Sequence, residues 1–105
     1  MKEISVQELK GKIDNNEDFQ LIDVREQNEY DVCNLGGELI PMGTVLNNVE
    51  NISRERPVIV HCKSGKRSEM IILQLEKNFG FTNLYNLKGG IIAYGKEIDP
   101  SLTLY

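Results

Sequence analysis

The residues best suited to chemistry stand together in Val58-Ile59-Val60-His61-Cys62-Lys63-Ser64-Gly65-Lys66-Arg67-Ser68. An apolar run leads into a polar turn, and a helical pattern follows. A cysteine that opens such a turn meets backbone N–H groups able to converge on its sulfur. The positive end of the next helix adds to them. Lys63, Lys66 and Arg67 supply three cations close by. Such surroundings favour the thiolate and draw its pKa into the ~3.5–7.5 range of activated thiols. Gly65 permits a tight turn at positive φ. The expected chemistry is a nucleophilic sulfur that holds or attacks an anionic group. Cys62 is the expected catalytic residue, with Lys63, Ser64, Gly65, Lys66, Arg67 and Ser68 as its anion-binding loop. A buried apolar cysteine beside a solvated helix start accounts for each residue singly. It does not account for the cysteine, the cations and the glycine in one strand–turn–helix context.

Other candidates carry weaker signals. His61 either tunes the thiolate or merely finishes its strand, and the second reading is preferred. Asp23 and Arg25 follow an early strand, as a rim charge pair or as an ion pair that holds the turn. The turn-holding reading is preferred, because strand-end charges often organise turns. Cys33 is expected to pack inside a short helix between Val32 and Leu35, since no basic cluster surrounds it; the alternative is a resolving thiol. Gly89-Gly90 is expected to be a turn. One histidine and two separated cysteines make no familiar zinc-ligand set, so no metal and no organic cofactor are expected.

The elements that must position Cys62 alternate between strand and helix. Ser5-Val6-Gln7-Glu8 has the form of a capping box, with Val6, Leu9 and Ile13 following at helical spacing and Asn15-Asn16 as the stop. Residues 20–24 predict a strand and 27–33 a short helix. Gly36-Gly37 breaks that helix, and Leu39-Ile40 before Pro41 suits another strand. Residues 44–52 are expected to be helical, with Val45, Leu46, Val49 and Ile52 as the apolar face. Val58-Ile59-Val60 reads as a central strand buried on both faces. Residues 68–79 predict a buried helix with Met70, Ile71, Ile72, Leu73, Leu75 and Phe79 apolar, Glu69, Glu76 and Lys77 on its wet face, and Gly80 past its end. A last strand over 83–87 and a short helix through Ile91, Ile92 and Tyr94 close the chain. This alternation predicts an α/β fold, a mainly parallel sheet of about five strands flanked by helices.

Composition bounds the possibilities. At 105 residues one domain is expected over 1–105. Twelve Lys plus Arg against sixteen Asp plus Glu give a net charge of −4, which argues against general nucleic-acid binding. No apolar run approaches the ~20 residues of a membrane span, and no signal-peptide pattern opens the chain. Two cysteines are too few for a disulfide scaffold, so free thiols in a cytoplasmic setting are expected.

Four segments in order carry a family resemblance over nearly the whole chain. Cys62-Lys63-Ser64-Gly65-Lys66-Arg67-Ser68 resembles the active-site loop of rhodanese-like sulfurtransferases. Leu21-Ile22-Asp23-Val24-Arg25-Glu26, continued by Glu29-Tyr30, resembles that family's first diagnostic segment. Gly37-Glu38-Leu39-Ile40-Pro41 and Leu87-Lys88-Gly89-Gly90-Ile91-Ile92-Ala93-Tyr94 resemble the later ones. Asp31-Val32-Cys33-Asn34-Leu35 and Ile98-Asp99-Pro100 are closest to the single rhodanese domain fused behind E1-like adenylating enzymes. Two positions depart from the family. Asn34-Leu35-Gly36-Gly37 stands where a histidine is common, and Tyr94 stands where Trp is common.

The resemblance implies a single-domain sulfurtransferase. Cys62 would take sulfane sulfur from thiosulfate or a protein persulfide, hold it as a persulfide, and pass it to a thiophilic acceptor. Expected partners are a small anionic sulfur donor or a persulfidated protein, and a sulfur-accepting protein; nucleic acid and membrane are not among them. Arg67 either stabilises donor charge or is tied inward to a carboxylate. The alternatives are a sulfur-carrier or docking module with little free-thiosulfate activity, a Cys-based phosphatase or arsenate reductase, and a regulatory module without turnover. The phosphatase signature has one more residue between Cys and Arg than the four seen here, and no residue nominates the general acid that chemistry needs.

Overall fold

The computed structural model describes residues 1–103. Five parallel strands form one sheet in the order β1-β5-β4-β2-β3. These are β1 (Glu3–Ile4), β2 (Gln20–Asp23), β3 (Glu38–Leu39), β4 (Val58–His61) and β5 (Leu84–Leu87). The helices are α1 (Val6–Asp14), α2 (Gln27–Val32), α3 (Lys66–Phe79) and α4 (Gly90–Glu97). This is the α/β architecture expected from the alternation of the sequence.

β4 lies at the centre because all four of its residues can be buried. Its register pairs Val58–His61 with Gln20–Asp23 on one side and Val58–Val60 with Leu84–Asn86 on the other. Alternate β-branched side chains then fill two cores. Val58 and Val60 pack with Ile22, Ile71, Ile72 and Leu75, while Ile59 packs with Val6, Leu9, Leu87 and Tyr94. Each such side chain removed from water contributes about 1.5–3 kcal/mol. Because every strand runs the same way, the β2 and β4 carboxyl ends deliver Asp23 and Cys62 to one edge. That is the edge where parallel sheets bind ligands.

Several local expectations are corrected. β1 was not foreseen, because two residues make no readable apolar pattern. β3 falls one residue earlier than Leu39-Ile40. Residues 44–52 form no α-helix; they make two 3-10 stretches, Met42–Asn47 and Val49–Asn51. Side chains compete there for backbone groups, with Thr44 Oγ1 donating to Pro41 O and Asn48 Nδ2 to Thr44 O. Leu46 is exposed, as is Ile13 on α1. α3 starts at Lys66, two residues earlier than predicted, and its wet face is wider than the expected Glu69, Glu76 and Lys77. Ile71, Ile72 and Leu75 face the core, whereas Met70, Leu73 and Phe79 are exposed. Among the described residues no helix is long and apolar enough to cross a membrane.

Candidate active site

Cys62 follows β4 directly and is fully buried. Its loop turns through Gly65, whose φ of 103° is a left-handed value that suits glycine. That turn aims the Gly65 N–H at Cys62 Sγ, 3.1 Å away. Ser68, on the first turn of α3, brings its Oγ to 3.4 Å from the same sulfur. Burial pushes the Cys62 thiol up. The Ser68 hydroxyl and the N–H groups of Ser68, Gly65 and Ser64 outweigh it and hold the thiol below its ordinary value. The loop is therefore a cradle of donors around a single sulfur.

The cradle is closed from below by α4. Ile91 N donates to Cys62 O at 3.0 Å and Ile92 N to Lys63 O at 3.1 Å. Gly90 makes this approach possible. Its φ is 62°, and a Cβ there would collide with the carbonyls of Lys63 and Cys62. The Gly89-Gly90 turn is thus also a packing surface for the loop.

A family model for the rhodanese-like domain matches residues 5–97. The chain belongs to the rhodanese-like family. It is 32% identical over 106 residues to the probable adenylyltransferase/sulfurtransferase MoeZ of Mycobacterium tuberculosis, covering 97% of this chain and 26% of that one. The chain thus spans about a quarter of that relative's length. It is 34% identical over 101 residues to the putative sulfurtransferase YtwF of Bacillus subtilis, covering 95% of this chain and 96% of the relative. The crystal structure of a rhodanese-like domain protein from Staphylococcus aureus superposes with a TM-score of 0.83 at 30% identity. That match covers 100% of this chain and 99% of the other. Relatives thus include both a domain joined to an adenylyltransferase and a single-domain protein.

In this rhodanese-like domain Arg67 is tied to a carboxylate of α2. Its guanidinium makes a bidentate pair with Glu29 of α2, Nη1 to Oε1 at 2.8 Å and Nη2 to Oε2 at 2.9 Å. The Arg67 pair holds the Glu29 carboxyl well down, at about 2. Of the two expectations for Arg67, the structure shows the inward tie. Glu29 entered the sequence reading only as part of the first family segment. Its capping-box position in α2 is the local signal that fixes it, since Glu26 N also donates to Glu29 Oε1 at 3.0 Å.

Asp23 and Arg25 form a buried ion pair beneath the rim. Arg25 Nε donates to Asp23 Oδ1 at 3.0 Å and Nη2 to Oδ2 at 2.8 Å. Nη2 also reaches Cys33 O at 2.8 Å, which ties α2 to the end of β2. Both side chains are spent on this joint, as a turn-holding pair would be. His61 is fully buried beside it, with Nε2 3.8 Å from Asp23 Oδ2. Neither ring nitrogen has a hydrogen-bond partner among the described residues. Burial pushes its pKa down to about 4, so the ring is neutral at physiological pH.

The remaining expected residues separate. Ser64 and Lys66 are exposed, and Lys63 is half-buried at the loop's flank. Cys33 does not pack inside a helix. It ends α2 in extended conformation, half-buried, and its Sγ donates to Thr103 O at 3.0 Å. It lines a small recess with Arg25, Glu29, Lys63 and Ile91. Asn86 on β5 was missed. It is buried against the loop, donating from Nδ2 to Gly65 O at 3.1 Å and accepting from Ser68 Oγ at 2.5 Å. A polar residue at the centre of an apolar strand, Leu84-Tyr85-Asn86-Leu87, is the sequence signal for it.

Proposed function

We propose that this domain is a sulfurtransferase that moves sulfane sulfur through a Cys62 persulfide. The observation that carries the reading is the buried Cys62 sulfur facing Gly65 N–H and the Ser68 hydroxyl in one tight loop. In the first half-reaction the Cys62 thiolate attacks the outer sulfur of thiosulfate. The S–S bond of the donor breaks, sulfite leaves with the bonding pair, and Cys62 carries a terminal persulfide anion. A protein persulfide reacts the same way and leaves as a thiolate. In the second half-reaction an acceptor thiolate, or cyanide, attacks the terminal sulfur and restores the Cys62 thiolate. No net oxidation occurs. The donor cradle stabilises negative charge on either sulfur form, which is the electrostatic part of catalysis. The loop's cations attract the anionic donor.

Phosphatase chemistry is disfavoured by the Arg67–Glu29 pair, because the Nη1–Nη2 edge of the guanidinium is already on a carboxylate. Steady-state kinetics with thiosulfate and cyanide test the reading. Parallel double-reciprocal lines are expected for a ping-pong cycle. Turnover of a phosphate monoester without thiosulfate turnover would overturn it. Sulfur uptake from a persulfidated desulfurase alone would narrow the function to a dedicated carrier.

A further inference from the structure

We propose that Asn86 is a positioning residue for the Cys62 nucleophile, acting through Gly65 and Ser68. Its side chain is 3% exposed and both ends of its amide are spent on the loop. The orientation of the amide is dictated by chemistry. Gly65 offers a carbonyl, so the NH2 end must face it, and the amide oxygen must then face Ser68. Gly65 O already accepts from Glu69 N at 3.1 Å, so with Asn86 its two lone pairs are filled. The Ser68 hydroxyl has three acceptors in reach, Asn86 Oδ1 at 2.5 Å, Gly65 O at 3.2 Å and Cys62 Sγ at 3.4 Å, and its one proton goes to the nearest, Asn86.

Asn86 thus fixes one donor to the sulfur, the Gly65 N–H, and the oxygen of a second group beside it. Holding the Gly65 carbonyl orients the Gly65 residue whose N–H points at Cys62 Sγ. Accepting the Ser68 proton fixes the Ser68 oxygen, 3.4 Å from the same sulfur. The anchor is firm because β5 is hydrogen-bonded on both sides, to β1 and β4. Asn86 acts on the reaction only by keeping the Gly65 N–H aligned with the thiolate.

The inference deepens the sulfur-transfer reading, and its test does not depend on turnover. Iodoacetamide alkylation of Cys62 is followed against pH in a Cys33→Ser background, so that one thiol reports. Asn86→Leu, apolar and close in size, is expected to raise the apparent thiol pKa by about one unit, with about tenfold slower alkylation at neutral pH. Ser68→Ala is expected to shift it in the same direction. The double variant is expected to fall short of the sum, because the two residues share a path. Should Asn86→Leu not fold, Asn86→Ser removes both long contacts with less bulk and is expected to shift the pKa upward as well. An unchanged pKa in a variant of lowered thermal stability would reduce Asn86 to a structural role. A lowered pKa would show that the Ser68 proton released from Asn86 outweighs the alignment of Gly65, and would overturn the proposal too. Absent sulfur loading on the unsubstituted protein would sink the sulfurtransferase reading alone.

Discussion

Arg67 Nη1 and Nη2 grip both carboxylate oxygens of Glu29, which joins the first turn of α3, just past the Cys62 loop, to α2 across 38 residues of sequence. The pair is the brace that keeps the loop on its strand. Glu29→Gln removes the charge but not the bulk. It is expected to cost about 1.5–3 kcal/mol, the range for hydrogen bonds to charged groups. Urea unfolding measures the loss, and persulfide loading is expected to slow with it. Unchanged stability would show that solvent replaces the brace at no cost.

The same pair predicts an acid limb. Glu29 titrates at about 2 in the folded chain, below its ordinary value. A depressed carboxylate contributes stability that is complete above the unfolded pKa and is lost as pH falls through the folded one. Stability is therefore expected to decline from about pH 4.5 toward 2, less steeply in Glu29→Gln. Denaturant midpoints across that window check the slope.

His61 predicts a second, higher window. Its ring is neutral when buried and titrates at about 4, against 6.5 when free. The unfolded chain binds the extra proton between those values, so stability falls as pH drops from 6.5 toward 4. His61→Leu is expected to flatten that part of the profile. An equally steep profile in the variant would assign the slope to other groups.

Gly90→Ala tests the floor of the cradle. Its Cβ meets the carbonyls of Cys62 and Lys63, and its φ of 62° is strained for alanine by about 1–2 kcal/mol. The variant is expected to fold and to lose sulfur loading by well over tenfold. Normal loading with lowered stability would show that the loop tolerates a shifted α4.

The sequence declared the loop and the sheet more clearly than the braces around them. Val58-Ile59-Val60 can only be comfortable on a strand covered on both faces, and Gly65 after Cys62 marks the turn. Glu29 and Asn86 carry local signals, a capping box and a polar residue in an apolar strand, but their partners lie 38 and 21 positions away. Local pattern carries no information about such pairs. Met70 and Leu73 misled for a related reason. Residue type does not say which side of α3 finds the sheet, and the buried side is fixed by Ser68, Ile71, Ile72 and Leu75. Residues 44–52 misled because Thr44 and Asn48 bond to the backbone and tighten the turns.

Cys33 bears on the central claim because it is the second thiol of the chain. Its hydrogen bond to Thr103 O and its half-buried position give it no activating cradle. Cys33→Ser is expected to keep full turnover. A loss of turnover with intact loading would make Cys33 the thiol that receives sulfur from Cys62.

The most direct measurement is intact mass after brief exposure to thiosulfate, before and after a cyanide chase, on the unsubstituted chain and on Cys62→Ser and Cys33→Ser. The account predicts a gain of one sulfur atom in the unsubstituted chain and in Cys33→Ser, removed by cyanide, and no gain in Cys62→Ser. Cyanide-labile sulfur on Cys62→Ser at the unsubstituted level would contradict it.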